Sequence, residues 1–317
     1  VFVAGETNGT LMGQTVNGGS TYSGALDMFV TKYTSSGSAQ WTTLLGGTGD
    51  EYGYAIAIDS DGSIFVSGIT KSSSFDGLTN NGGADTFLAK FTASGVKQWS
   101  RIVGTASDDE ASSIAIAPDG SVYVVGKSPG GLGGQANHGS DDAFILKFTN
   151  SGSLAWTRLI GTRYTDKASG IAVGLDGTVY VTGTTNGDLN GQSQVGGYDS
   201  FLAALSPDGA TIWTRILGSS AWDDGIAVTS TPDGSVYMLG RAGGDLGGQT
   251  LLGSYDSFLS KWNPDTLDLI PPTIALSTNK TAITTGESVA VSLVLSEESL
   301  NFTVSDITVT GGSLKNF

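Results

Sequence analysis

Acidic side chains carry the chemistry this chain could most readily do. Gly49-Asp50-Glu51, Asp108-Asp109-Glu110 and Asp223-Asp224 stand at matching places along the sequence, and Asp166-Lys167 fills the remaining one. Hard cations such as Ca²⁺ take several oxygens, and two or three carboxylates with nearby carbonyls are a start on such a set. Asp50, Glu51, Asp108, Asp109, Glu110, Asp223 and Asp224 are therefore candidate Ca²⁺ ligands. No Asp-x-Asp-x-Asp-Gly run with a distant Glu accompanies them. Asp59-Ser60-Asp61-Gly62 matches only in part, and its copies read Ala117-Pro118-Asp119-Gly120 and Gly174-Leu175-Asp176-Gly177. A hairpin turn explains that run better. Capping of loops is the plainer reading of the acids, and the cation site stands beside it.

A second candidate is a glycine-rich loop. It reads Gly187-Asp188-Leu189-Asn190-Gly191-Gln192 and Gly244-Asp245-Leu246-Gly247-Gly248-Gln249, with related forms at Gly131-Leu132-Gly133-Gly134-Gln135 and Thr10-Leu11-Met12-Gly13-Gln14. A phosphate loop would end in Lys-Ser/Thr and open a helix, and neither follows. Recurrence in nearly every unit points to turn geometry for Gly and packing for Leu. A ring of such loops could also hold polar ligands, through Asp188, Asn190, Gln192, Asp245 and Gln249. The lone His138 lies in a Gly/Ser loop with no nucleophile motif beside it, and no Ser-x-Asp-x-Gly-x-Thr-Trp box occurs. No residue is nominated as catalytic.

The elements that position these loops repeat. Trp41, Trp99, Trp156 and Trp213 stand 58, 57 and 57 residues apart. Around each runs the same set: Asp-x-Phe-x-x-Lys (Asp27, Asp85, Asp142; Asp199 with Ala204 in place of Lys), the Trp, an Ile-Ala stretch such as Ala55-Ile56-Ala57-Ile58, Asp-Gly, and Val-Tyr-Val-x-Gly as in Val122–Gly126. Each unit offers four strands, begun by the Phe-x-x-Lys segment, and the Asp-Gly between two alternating apolar runs reads as a hairpin. Nothing keeps a 3.6-residue period. Four short strands per unit fit a propeller blade, whose two faces must be buried by neighbouring blades. The alanines of Ala55-Ile56-Ala57-Ile58 face one side and the isoleucines the other, so small can meet large between blades.

The units resemble the bacterial seven-bladed β-propeller repeat family over Val1 to about Trp262. The resemblance rests on Asp-x-Phe-x-x-Lys-Phe, Gly-x-x-x-Trp, Ile-Ala-x-x-x-Asp-Gly and Val-Tyr-Val-x-Gly, a set that is specific together and weak singly. It implies membership of large exported or cell-surface proteins, often beside immunoglobulin-like repeats. It implies no catalytic residues. Beyond Pro271-Pro272, the segments Thr285-Gly286-Glu287, Leu295-Ser296-Glu297 and Ser305–Gly312 resemble the start of a bacterial immunoglobulin-like domain.

The expected fold is all-β. Residues 1–268 make a propeller of four full units and two partial ones, 269–272 link, and 273–317 begin an Ig-like sandwich. Val1–Gly5 reads as the last strand of a unit and Asp256–Trp262 as the first strand of another. The two ends then supply two of four strands, and either the missing pair lies upstream of Val1 or the ends meet in a five-blade ring with one reduced blade.

Composition agrees with this fold. Glycine numbers 48 and charged residues are 14%, as in turn-rich β structure. Fifteen basic against 30 acidic residues give −15, which repels phosphate backbones and argues against nucleic acid. There is no Cys and no apolar run of membrane-spanning length. The expected function is a non-catalytic extracellular binding or scaffolding module of a larger bacterial surface or secreted protein, contacting glycans or proteins through its loops. A carbohydrate-active or other enzyme-associated propeller is the alternative. Ca²⁺ is the one cofactor in view, and further domains of the same polypeptide are expected partners.

Overall fold

The structure is a computed structural model and describes residues 1–9, 11, 26–262, 274–278 and 291–295. It divides into two compact units, Val1–Asn263 and Pro264–Phe317.

Among the described residues, the first unit is a series of five antiparallel blade sheets, with a two-stranded ribbon, Ser74–Phe75 and Leu78–Thr79, in one connection. The first holds Phe2–Thr7, Asp27–Tyr33 and Ala39–Leu45. The second holds Glu51–Ile58, Ile64–Thr70, Asp85–Phe91 and Lys97–Val103. The third holds Glu110–Ile116, Val122–Ser128, Asp142–Phe148 and Leu154–Ile160, and the fourth Asp166–Val173, Val179–Thr185, Asp199–Leu205 and Thr211–Leu217. The fifth holds Asp223–Ser230, Val236–Ala242 and Asp256–Trp262. In the second unit, Ile274–Thr278 pairs with Val291–Leu295. The other segments expected for the Ig-like part lie outside the described residues.

The blades are cut two strands away from where the repeat was read. Each four-stranded sheet starts with the Ile-Ala strand and ends with the Trp strand, so it joins the last two segments of one unit to the first two of the next. A period gives the length of a repeat and not its phase. The deciding interaction is hydrogen bonding: Ile64–Thr70 pairs with Glu51–Ile58 on one side and Asp85–Phe91 on the other, while the Trp strand pairs only with the Phe-x-x-Lys strand. Among the described residues, the two ends of the propeller unit also do not share a sheet. Val1–Gly5 leads into the three-stranded first sheet, and Asp256–Trp262 completes the three-stranded fifth.

Sheets bury one another in sequence. Ala55 and Ala57 face the third sheet together with Phe65 and Leu88, meeting Val122, Val124, Phe144 and Leu146. Ile56 faces the other way, toward Met28 and Val30 of the first sheet. A bulge in every Ile-Ala strand, for example between Gly53 and Ala55, leaves its partner glycine no room for a side chain. A Cβ at Gly68 would lie 1.8 Å from the Tyr52 carbonyl oxygen.

A second fastening lies at the outer edge. Three of the repeated tryptophans pack against the glycine of the next sheet's turn, Trp41 on Gly95, Trp99 on Gly152 and Trp156 on Gly209. Beside it, Arg101 Nε donates to Gly152 O at 2.7 Å and Arg158 Nε to Gly209 O at 2.8 Å; Thr43 Oγ1 takes this place in the first sheet. The repeated lysines reach the same turns: Lys32 donates to Ala93 O, Lys147 to Pro207 O, and Lys90 to the Asn150 side chain.

Candidate functional site

Antiparallel order puts the starts of the first and third strands at one end of every sheet. All the nominated carboxylates and the glycine-rich loops are at that end, because the acids open these strands and the loops join second strand to third. The Asp-Gly turns lie at the other end. There Asp61, Asp119, Asp176 and Asp233 each accept the N–H two residues on, and the following glycine has φ near +80°. This accounts for the partial match at Asp59–Gly62 as a turn.

Eight acids at or just before strand starts cap the loop before them. Glu51, Asp109, Asp166 and Asp223 accept the backbone N–H four residues upstream, from Gly47, Thr105, Thr162 and Ser219, at 2.6–2.7 Å. Asp85, Asp142, Asp199 and Asp256 do the same for Asn81, His138, Val195 and Leu252. The two sets meet where one sheet packs on the next. Glu51 N–H donates to Leu26 O, Asp109 to Ala84 O, Asp166 to Asp141 O and Asp223 to Tyr198 O, all at 2.6–2.7 Å. Each junction thus buries a carboxylate pair: Asp27 with Glu51, Asp85 with Asp109, Asp142 with Asp166, and Asp199 with Asp223.

Glycine makes the space. A side chain at Gly46 would lie within 3 Å of both Asp27 Oδ1 and Glu51 Oε2, and Gly104, Gly161 and Gly218 stand equally close to Asp85, Asp142 and Asp199. Oδ1 of Asp85, Asp109, Asp142 and Asp199 is buried with no hydrogen-bond partner. Two buried like charges cannot both ionise cheaply. Burial, aided by the Glu51 charge, lifts Asp27 to about 6. Burial lifts Asp85 to about 6 as well, against the Asn81 N–H and with Asp109 and Asp108 adding to it. Asp166 and Asp199 are also raised, first by burial.

The candidate Ca²⁺ ligands therefore fall into several settings. Glu51, Asp109 and Asp223 are in the junction pairs, where Glu51 also accepts Thr70 and Ser72 hydroxyls. Asp50 and Asp108 accept the Leu26 and Ala84 N–H groups. Glu110 lies 3.7 Å from Lys127. Asp224 accepts from Arg241 Nε at 2.6 Å, Thr184 Oγ1 at 2.9 Å and Trp222 Nε1 at 3.0 Å. Burial opposes its charge, but these partners hold it below the usual carboxylate range. Among the described residues, no three His, Asp or Glu side chains gather into a group that could hold a metal ion.

In the glycine-rich loops the turn chemistry is plain. Asn190 (φ +49°) and Gly191 (φ +78°) turn Leu189 back onto Gln192, and Gly247 and Gly248 do the same between Leu246 and Gln249. Asp188 and Asp245 accept the N–H six residues on. Asn190 Nδ2 donates to Thr214 Oγ1. Leu132 and Leu189 are buried. Phe75-Asp76-Gly77-Leu78 is the same loop in the second sheet, with Phe in the leucine's place and Asp76 at φ +53°. The motif's letters hide it, and its 57-residue offset from Leu132 reveals it. Of the loop near Gln14, Thr10 and 12–25 lie outside the described residues.

One corner departs from the repeat. Where the other junctions have Asp50, Asp108 and Thr165, the last has Trp222; where they have Leu26, Ala84 and Asp141, it has Tyr198. The two rings stack at 4.6 Å with 20° between planes. Arg241 lies over Tyr255, 5.0 Å from the ring centre. Sequence reading missed this corner because each residue alone is ordinary. Aligning the units position by position exposes it.

Comparison with known proteins fits this geometry. Residues 40–76, 98–133 and 155–190 match the description "Beta-propeller repeat", and 268–317 match "Bacterial Ig-like domain". The chain is a run of β-propeller repeats followed by a bacterial Ig-like domain. Each matched propeller segment opens at a Trp strand and crosses from one sheet to the next. The propeller-bearing chain is 28% identical over 276 residues to the regulatory protein FlaEY of Caulobacter vibrioides, covering 77% of this chain and 29% of that one. An uncharacterized WD repeat-containing protein of Acanthamoeba polyphaga mimivirus is 29% identical over 123 residues, 33% of this chain and 9% of that one. The chain thus spans less than a third of either relative. A crystal structure of a protein of unknown function from Bacteroides caccae aligns over 76% of this chain and 70% of its own, at 13% identity and a TM-score of 0.40.

Proposed function

We propose that the chain is a non-catalytic binding and scaffolding module of a larger surface or secreted bacterial protein, contacting glycan or protein through the loop end of its propeller. The observation that carries this is the fourfold recurrence of the buried carboxylate pair. Acids with raised pKa are common at catalytic sites, which is the signature the enzyme alternative needs. Here the lifted acids, Asp27, Asp85, Asp166 and Asp199, sit between sheets, out of contact with solvent, and each is paired with a second buried acid. A device needed at each junction belongs to the architecture. The loops above it are solvent-facing at Asp188, Asn190, Asp245 and Gln249 and are held by turns that do not use those side chains' whole hydrogen-bonding capacity. Propeller repeats and an Ig-like domain are the parts of an interaction module, and among the described residues no helix is long and apolar enough to cross a membrane.

The test is to immobilise the full chain and present it to a glycan array and to a phage-displayed peptide library, with Ca²⁺ and with EDTA. Saturable binding to members of either set is expected. Silence in both would sink the proposal, and turnover of an arrayed glycan would favour the enzyme-associated reading.

A further inference from the structure

The corner between the fourth and fifth sheets has the composition of a ligand site, and its stacked rings are not called for by the frame. Three other junctions hold their sheets together without an aromatic pair there, so junction geometry does not call for Trp222 and Tyr198. Trp222 is 46% exposed and Tyr255 48%, an arrangement that leaves large rings in water.

The rings are also held in place. Trp222 is fixed by its stack on Tyr198 and by its indole N–H on Asp224. Asp224 in turn orients Arg241, which covers one side of Tyr255. Gly243 ties the two halves: a Cβ there would lie 2.7 Å from the Trp222 carbonyl oxygen and 3.1 Å from Tyr255 Cε1. Arg241 spends Nε on Asp224, and its terminal nitrogens make no hydrogen bond among the described residues.

Resting on the reading of the loop end as a binding surface, we propose that Trp222, Tyr198, Tyr255, Arg241 and Asp224 form a site for one sugar ring of a neutral oligosaccharide. A pyranose has a face of C–H groups and a rim of hydroxyls. The C–H face covers the exposed Trp222 ring, and adjacent hydroxyls accept from the planar guanidinium fork of Arg241. Rigid aromatics bind at little entropic cost, because few torsions remain to be fixed. Polyanionic chains are disfavoured by the net charge of −15 and by Asp224 beside Arg241.

The experiment uses the full chain on an array of neutral hexose and pentose oligosaccharides, followed by calorimetric titration with the best-bound member. Trp222→Ala is expected to weaken that binding roughly tenfold or more, and Tyr255→Ala severalfold, about what loss of one stacking contact removes. Leu252→Ser, at an exposed residue of the neighbouring loop, and Leu175→Ser, at an exposed turn of the opposite end, are expected to bind as the parent does. Where Trp222→Ala does not fold, Tyr255→Ala and Arg241→Gln carry the test. No binding by any arrayed sugar overturns the assignment, even if peptides bind and the broader function stands. Unchanged affinity in Trp222→Ala with loss in Asn190→Ala moves the sugar to the glycine-rich loop. A loss in Leu252→Ser equal to that in Trp222→Ala marks an apolar contact of protein type and also overturns it.

Discussion

The junction between the second and third sheets and that between the fourth and fifth share one frame and differ in finish. Both bury a carboxylate pair, Asp85 with Asp109 and Asp199 with Asp223, and both run an N–H from the second acid to the residue before the first. Above the frame they part. Ala84 and Asp108 are joined by a short backbone-to-carboxylate bond in one, and Tyr198 and Trp222 stack in the other. The comparison separates what a propeller must repeat to stay stacked from what it is free to vary. The buried level repeats because each sheet needs its neighbour. The rim varies because water accepts many side chains.

The largest effect should come from the frame itself. Gly126 and Gly183 each face a carbonyl oxygen that an added Cβ would approach to 1.9 Å, at Glu110 and Lys167. Gly126→Ala and Gly183→Ala should each cost about 3–5 kcal/mol, equally in both parts of the molecule, by urea unfolding. A large inequality would break the claim of a common frame.

Next comes the charge within the pairs. Asp85 and Asp27 are lifted from the ordinary carboxyl value of 3.8 to about 6 in the folded chain. The native state therefore binds protons more tightly than the unfolded chain between those values, and stability rises as pH falls through about 6 toward 4. Above about pH 7 the full cost of the paired charges remains. Asp85→Asn can still accept the Asn81 N–H through its oxygen while offering Asp109 a donor. It should raise stability near pH 7.5 by ~1–3 kcal/mol and flatten part of the pH dependence. Thermal melts across pH, with Ca²⁺ and with EDTA, check this; a metal-dependent parent that the Asn variant makes metal-blind would refute a bare acid pair.

Smaller effects sharpen the outer fastening. Arg158→Ala removes two hydrogen bonds to the turn of the next sheet and the cover over Trp156, and should cost about 1–2 kcal/mol. Thr43→Val, at the matching place in the first sheet, removes one hydrogen bond and should cost ~1 kcal/mol by the same assay. The smallest change is expected at Asn190→Gly, where Gly adopts φ +49° freely and only the bond to Thr214 is lost, leaving stability within about 0.5 kcal/mol.

Much of this was legible beforehand. Asp61, Asp119, Asp176 and Asp233 announced their hairpins through the glycine that follows, because turn chemistry is local. Ala55 and Ile56 declared opposite faces, because side chains alternate along any strand. Glu51 and Asp109 stood out as acids, but their burial did not, since a carboxylate beside glycines reads as solvent loop until a second sheet covers it. Phe75 was overlooked as the counterpart of Leu132, because the substitution keeps the packing and discards the letters. Trp222 and Tyr198 are 24 residues apart, and only the junction brings their rings together.

Sequence alone determined the all-β character, the length of the repeating piece, its turns and its alternation of small and large faces, since each depends on near neighbours and on which side chains avoid water. Tertiary structure alone decided where one sheet ends and the next begins, which carboxylates are paired, and which corner of the rim is aromatic. Those depend on hydrogen bonds and contacts between strands far apart in the chain, and a periodic sequence reads the same wherever it is cut.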